Sequence, residues 1–111
     1  MQFLTLEREE QLEEISEAKK PQVILKHNTT CPISKGVLRS LKEESTLPAD
    51  TPFYILDILT YRNISDTVEK KFSVPHESPQ LLVIKNGECT YNQSLNNITP
   101  EETVQAIHEN E

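Results

Sequence analysis

Two rhythms of apolar residues alternate along the chain, one with the spacing of a helix and one with that of a strand. Over residues 7–20, Leu12, Ile15 and Ala18 recur at helical spacing on an acidic background, and Pro21 closes that segment. Gln22-Val23-Ile24-Leu25-Lys26-His27 then reads as a short buried strand, β-branched at its centre. After Asn28-Thr29-Thr30 the helical rhythm returns, with Pro32 tolerated in the first turn and Val37, Leu38 and Leu41 facing inward. Residues 45–52, with two prolines and small polar residues, predict a loop. Phe53-Tyr54-Ile55-Leu56-Asp57-Ile58 is a second strand fit for cover on both faces. Ile64, Val68 and Phe72 mark a third helix, for which Asn63 or Ser65 offers a cap. The proline-bearing residues 74–79 lead into Leu81-Leu82-Val83-Ile84. Asn86-Gly87 then signals a hairpin with a return strand over residues 88–91. Thr99-Pro100-Glu101-Glu102 opens a last helix, running to about His108, with a capping box and a proline at its first position. Residues 2–6 can add an edge strand.

Two crossover units followed by a hairpin and a closing helix predict an α/β fold. Its mixed central sheet has four to five strands and is flanked by four helices, the thioredoxin-like architecture. At 111 residues the expectation is a single domain over residues 1–111. The net charge of −7, with eleven scattered cations, would repel a phosphate backbone and argues against nucleic-acid binding. No 18-residue apolar run and no basic-then-apolar leader is present, so the expectation is a cytoplasmic protein that does not enter a membrane. Two cysteines and three histidines show no paired ligand spacing, so no metal site is expected.

The chemistry concentrates at Thr30-Cys31-Pro32-Ile33-Ser34, between the first strand and the second helix. Unpaired N–H groups and the positive dipole end at a helix start favour a thiolate over a thiol. Pro32 fixes the turn, and Ser34 is expected to donate its hydroxyl to the sulfur. Ser34 stands where a dithiol enzyme keeps its second cysteine, and it cannot form a disulfide. Cys89 lies past the hairpin turn, on the order of 15 Å from Cys31 at about 3.4 Å per strand residue, and is read as a structural thiol out of bridging reach. His27 can tune the thiolate, although a strand-end histidine is more often a half-exposed polar residue. Lys35 can assist a thiolate or a carboxylate-bearing substrate, or it is simply solvated. The loop before the hairpin is expected beside Cys31, so that His76, Glu77, Ser78 and Pro79 line a substrate groove.

His27-Asn28-Thr29-Thr30-Cys31-Pro32-Ile33-Ser34, with His76-Glu77-Ser78-Pro79-Gln80 and Lys85-Asn86-Gly87, resembles the YtxJ-type monothiol bacilliredoxins of the bacillithiol system, within the thioredoxin-like superfamily. The resemblance spans nearly the whole chain. It implies a thiol–disulfide oxidoreductase with a cis Pro79 and Cys31 as its sole catalytic thiol. It also implies no bound cofactor, and bacillithiol as co-substrate. The partners implied are S-bacillithiolated client proteins and, indirectly, a bacillithiol disulfide reductase. The family frequently carries Ser-His-Trp where this chain has Ser94-Leu95-Asn96. A peroxiredoxin would want threonine at the position of Asn28. An iron–sulfur glutaredoxin would want Gly-Phe in place of Pro32-Ile33. A non-enzymatic module binding extended segments beside Pro79 is the further alternative.

Overall fold

The central strand, β2 (Gln22–His27), is buried along its whole length. The computed structural model describes residues 2–111. Around β2 the chain runs β1 (Gln2–Thr5), α1 (Glu9–Glu17), then α2 (Pro32–Glu43), β3 (Pro52–Asp57), α3 (Arg62–Phe72), β4 (Gln80–Lys85) and β5 (Glu88–Ser94). A 3-10 turn (Leu95–Asn97) and α4 (Pro100–Glu109) follow. The five-stranded sheet has the order β1-β3-β2-β4-β5. β1 and β2 lie parallel to β3, whereas β4 runs antiparallel to both of its neighbours, β2 and β5, which is the thioredoxin arrangement expected from the element order.

Alternation along the strands divides the interior into two cores. Ile24, Leu56, Leu82 and Ile84 point to one face, where Leu12 and Ile15 of α1 and Ile64, Val68 and Phe72 of α3 cover them. Val23, Leu25, Phe53, Leu81 and Val83 point to the other, under Val37 and Leu41 of α2 and Ala106 and Ile107 of α4. The short apolar runs are therefore strands covered on both sides.

Three details differ from the sequence reading, each for a local reason. α1 ends at Glu17, short of residue 20, because Ala18 turns extended and its carbonyl accepts the N–H of Asn86 at 3.3 Å. Neither Asn63 nor Ser65 caps α3. Tyr61 holds the cap position and its carbonyl accepts the N–H groups of Ile64 and Ser65, while Ser65 lies fully buried. β5 runs three residues further than expected, to Ser94, with a register shift opposite Val83 and Ile84 that absorbs an extra residue. The hairpin turn has φ of 52° at Asn86 and 79° at Gly87. This pair of positive values is what a two-residue turn between twisted strands needs. Thr99 caps α4 by accepting the N–H of Glu102 at 3.2 Å.

Leu82 is fully buried opposite Ile24 in the middle of the sheet. Leu82→Ala should cost about 2–5 kcal/mol, the transfer loss plus an unfilled cavity. Urea unfolding is expected to show a lower midpoint at an unchanged slope.

Candidate active site

The strand ends gather the chemistry at one edge of the sheet. His27 closes β2, Asp57 closes β3 beside it, and Gln80 opens β4 next to Lys26. Asn28 shapes the connection from β2 to α2. Its Oδ1 accepts the backbone N–H of Thr30 at 2.9 Å and the Thr30 hydroxyl at 2.7 Å, and its carbonyl accepts the N–H of Cys31 at 3.1 Å. That closed turn sets Cys31 at the N-cap of α2, half-buried and in extended backbone, with Pro32 at the first helical position. The carbonyl of Cys31 accepts the N–H of Lys35 at 3.0 Å. The N–H groups of Ile33 and Ser34, in the first turn, have no carbonyl one turn earlier to bond. A thiolate at Cys31 therefore meets free donors and the positive end of a twelve-residue helix.

Ser34 behaves differently from expectation. It is fully buried, its Oγ accepts the backbone N–H of Asn28 at 2.9 Å, and it lies 2.7 Å from Nδ1 of His27. Among the described residues no hydrogen bond joins it to the Cys31 sulfur. Ser34 thus supports the Cys31 turn from beneath instead of donating to the thiol. His27 is correspondingly buried, at 7% exposure, and is not the half-exposed strand-end residue its position suggested. Burial lowers its pKa, with Lys42 and Lys35 adding to the effect and Asp57 opposing it. The ring therefore meets the Ser34 hydroxyl through Nδ1, with Nε2 on its other edge.

The loop before β4 is tied down from below. Lys26, completely buried, places Nζ 3.0 Å from Nδ1 of His76, and Ser65 Oγ lies 3.3 Å from the same nitrogen. The His76 N–H donates to Glu69 at 2.8 Å, and Gln80 Nε2 donates to the Pro75 carbonyl at 3.0 Å. Burial lowers the pKa of Lys26 against the pull of Glu69 and Asp66. Burial also lowers His76, helped by Lys26 and Arg62 and opposed by Glu69 and Asp66. Both shifts work against placing a charge on each partner of this contact. Of the residues expected to line the groove, His76 has its ring engaged beneath the loop and Glu77 stands exposed. Ser78 presents a buried hydroxyl with no partner among the described residues. Pro79 is buried after a cis peptide bond, and its carbonyl accepts the N–H of Leu95 at 2.9 Å.

Cys89 sits at the opposite end of β4. It pairs with Ile84, four strand steps from Gln80, which puts it roughly 14 Å away along the sheet, far beyond the about 7 Å between Cα atoms that a disulfide allows. Its thiol donates to the Tyr91 carbonyl at 3.3 Å, and burial pushes its pKa up. Both cysteines are free. The role of Asn28 was signalled by its turn propensity. That of Lys26 had no sequence signal beyond a charge inside an apolar run. Among the described residues no helix is long and apolar enough to cross a membrane.

Comparison with known proteins bears on this arrangement. A family model described as monothiol bacilliredoxin BrxC matches residues 4–103. A solved thioredoxin-fold protein, proposed in its description to be an oxidoreductase, shares 33% identity over 94% of this chain and 92% of its own, with a TM-score of 0.80. Thioredoxins from Malassezia sympodialis (18% identity, 99% and 90% of the two chains, TM-score 0.75) and Trypanosoma brucei brucei (14%, 96% and 88%, 0.78) share the fold.

Two outcomes follow for the buried polar groups. Ser34→Ala leaves the Asn28 N–H and the His27 ring unpaired and should cost about 1–3 kcal/mol in urea unfolding at neutral pH. Both His27 and His76 are held below their ordinary value of 6.5. The unfolded chain therefore binds protons that the native state refuses as pH falls below that value. This contribution to stability is complete above 6.5 and declines in more acidic solution. His76→Gln, which keeps an acceptor for Lys26, should lose less stability than the wild type between about pH 7.5 and 5.0; an equal or larger loss contradicts the assignment.

Proposed function

The chain belongs to the monothiol bacilliredoxin family, and on that premise we propose that it removes bacillithiol from S-bacillithiolated proteins in the cytoplasm. Its function is thiol redox chemistry on a thioredoxin fold. The observation that carries the finer reading is a free Cys31 at a helix start with no second thiol in reach. Ser34 occupies the third position after it, and Cys89 lies at the far end of β4.

In the proposed reaction the Cys31 thiolate attacks the bacillithiol sulfur of the client's mixed disulfide. The S–S bond breaks, the client cysteine leaves as a thiolate that takes a proton from solvent, and bacillithiol remains on Cys31. A second bacillithiol, as thiolate, attacks the same sulfur. Cys31 is released as its thiolate, and bacillithiol disulfide departs for reduction by a separate flavoprotein drawing on NADPH. The helix start stabilises Cys31 both as attacking group and as leaving group, which thiol exchange requires in turn. Ser78 and Pro79 provide the backbone against which an extended client segment lies. Ile33 (40% exposed), Leu59 (54%) and Leu95 (43%) surround that edge with apolar surface for it.

The test is to incubate a bacillithiolated client and free bacillithiol with wild type or Cys31→Ala, following client release by mass spectrometry. Wild type should release the client and carry a transient bacillithiol adduct on Cys31. Equal release rates with the two proteins refute the mechanism. Ser34→Cys should trap part of the enzyme as an internal disulfide between Cys31 and the introduced thiol. Its demand for free bacillithiol should fall, provided the loss of the His27 contact leaves it folded by circular dichroism.

A further inference from the structure

A groove of about 360 Å³ runs along α2, lined by His27, Lys35, Leu38, Arg39, Lys42 and Glu43. Cys31, Lys35, Leu38 and Lys42 follow one another at three- and four-residue intervals and form one stripe on the helix, which Arg39, four residues after Lys35, widens. Lys35 is one turn from the thiol, and Arg39 is about 12 Å along the axis at 1.5 Å per residue. The groove thus starts at Lys35, one turn of α2 beyond the reactive cysteine, and leads away from it.

Its charge runs against that of the whole chain. The protein has eighteen acidic residues and a net charge of −7, yet three of its eleven cations meet here. None of the three forms a salt bridge among the described residues, and Lys42 instead lies 5.6 Å from the centre of the Phe3 ring. Glu43, at the far end, is the groove's only carboxylate. The second observation is His27. It is buried, lines the groove, and has Nδ1 occupied by Ser34, which leaves an unpartnered Nε2 as the ring atom able to meet a ligand. Two ammonium groups and a guanidinium are donors, the His27 imidazole adds a polar edge, and Leu38 supplies an apolar wall. The chemistry complementary to that set is a carboxylate.

We infer that this groove binds the carboxylate end of the small thiol that exchanges with Cys31, holding its sulfur one helical turn away at the reaction centre. This rests on the reading that an external small thiol completes the cycle. A volume of about 360 Å³ falls at the small-molecule end of known binding sites, and Lys35 in its wall stands one helical turn from Cys31, within the span of a ligand whose other end must react there. A client's acidic side chains would offer the same chemistry, but a protein segment lies across the Pro79 edge and not down the length of α2. Binding here lowers the concentration of thiol needed for the second exchange, in which the incoming thiolate attacks the sulfur on Cys31.

The test uses the full chain carrying Cys89→Ser, with Cys31 converted to its 2-thiopyridyl disulfide. Release of thiopyridone is then timed with three thiols of different charge. Mercaptosuccinate carries two carboxylates, 2-mercaptoethanol is neutral, and cysteamine is cationic. In low salt, replacing Lys35, Arg39 and Lys42 together by Gln should slow mercaptosuccinate by roughly three- to a hundredfold, from about 1.4- to fivefold per exposed ion pair. The 2-mercaptoethanol rate should stay within about twofold, the scatter of surface changes that touch no partner. Arg39→Glu should slow mercaptosuccinate and speed cysteamine, a reversal that loss of folding cannot mimic. A control variant with Lys19, Lys20 and Lys85 changed to Gln alters net charge equally at the other end of the sheet and should match the parent. Equal changes for all three thiols, or a control variant as slow as the groove variant, overturn the inference. Neither outcome touches the Cys31 mechanism, which stands or falls on the client-release experiment.

Discussion

A buried polar group must find a hydrogen bond, and β2 ends in two of them side by side. β2 is central in the sheet and covered on both faces, so Lys26 is fully buried and His27 nearly so. Strand alternation sends them to opposite faces. Lys26 finds His76 and so ties the Pro79 loop from below on the α1–α3 side. His27 finds Ser34 and so ties the first turn of α2 on the other side. The two walls of the site hang from consecutive residues of one rigid strand, which fixes their relation to each other without contact between them. Each tether acts through a neutral imidazole, and protonating either ring sets a second positive charge against nearby cations.

The fold was legible because its signals are local and agree. Three apolar runs too short for helices, two helix starts marked by proline and an Asn-Gly turn leave few topologies open. The boundaries were less legible where a tertiary contact decides them. Ala18 fits a helix by composition, but its carbonyl is claimed by the hairpin turn, a partner far along the chain. The register shift in β5 likewise follows from pairing with β4 and leaves no local mark.

Within the site, Cys31, Pro32 and the Pro79 loop were legible from chain order, because crossover handedness brings strand ends and helix starts to one edge. The place of Ser34 was legible but its bonding was not. A hydroxyl three residues after a cysteine looks available to the sulfur until the buried histidine beside it is known. Lys26 was the least legible residue. In a strand buried on both faces a lysine looks like an exception at the margin, and only the loop folding back over it supplies the partner that lets it stay. The cationic stripe on α2 was visible only as scattered charges, since sequence gives the spacing of Lys35, Arg39 and Lys42 but not the cleft they share with His27.

Ser34 in place of a second thiol has a consequence for how long oxidation lasts. A dithiol site clears its own adduct at a rate set by its internal geometry, whatever surrounds it. With Cys89 stranded at the other end of β4, an adduct on Cys31 persists until another molecule collides with it. Its lifetime therefore varies inversely with the abundance of that molecule. The fraction of protein standing modified at any moment becomes a running measure of how depleted the surrounding thiol pool is.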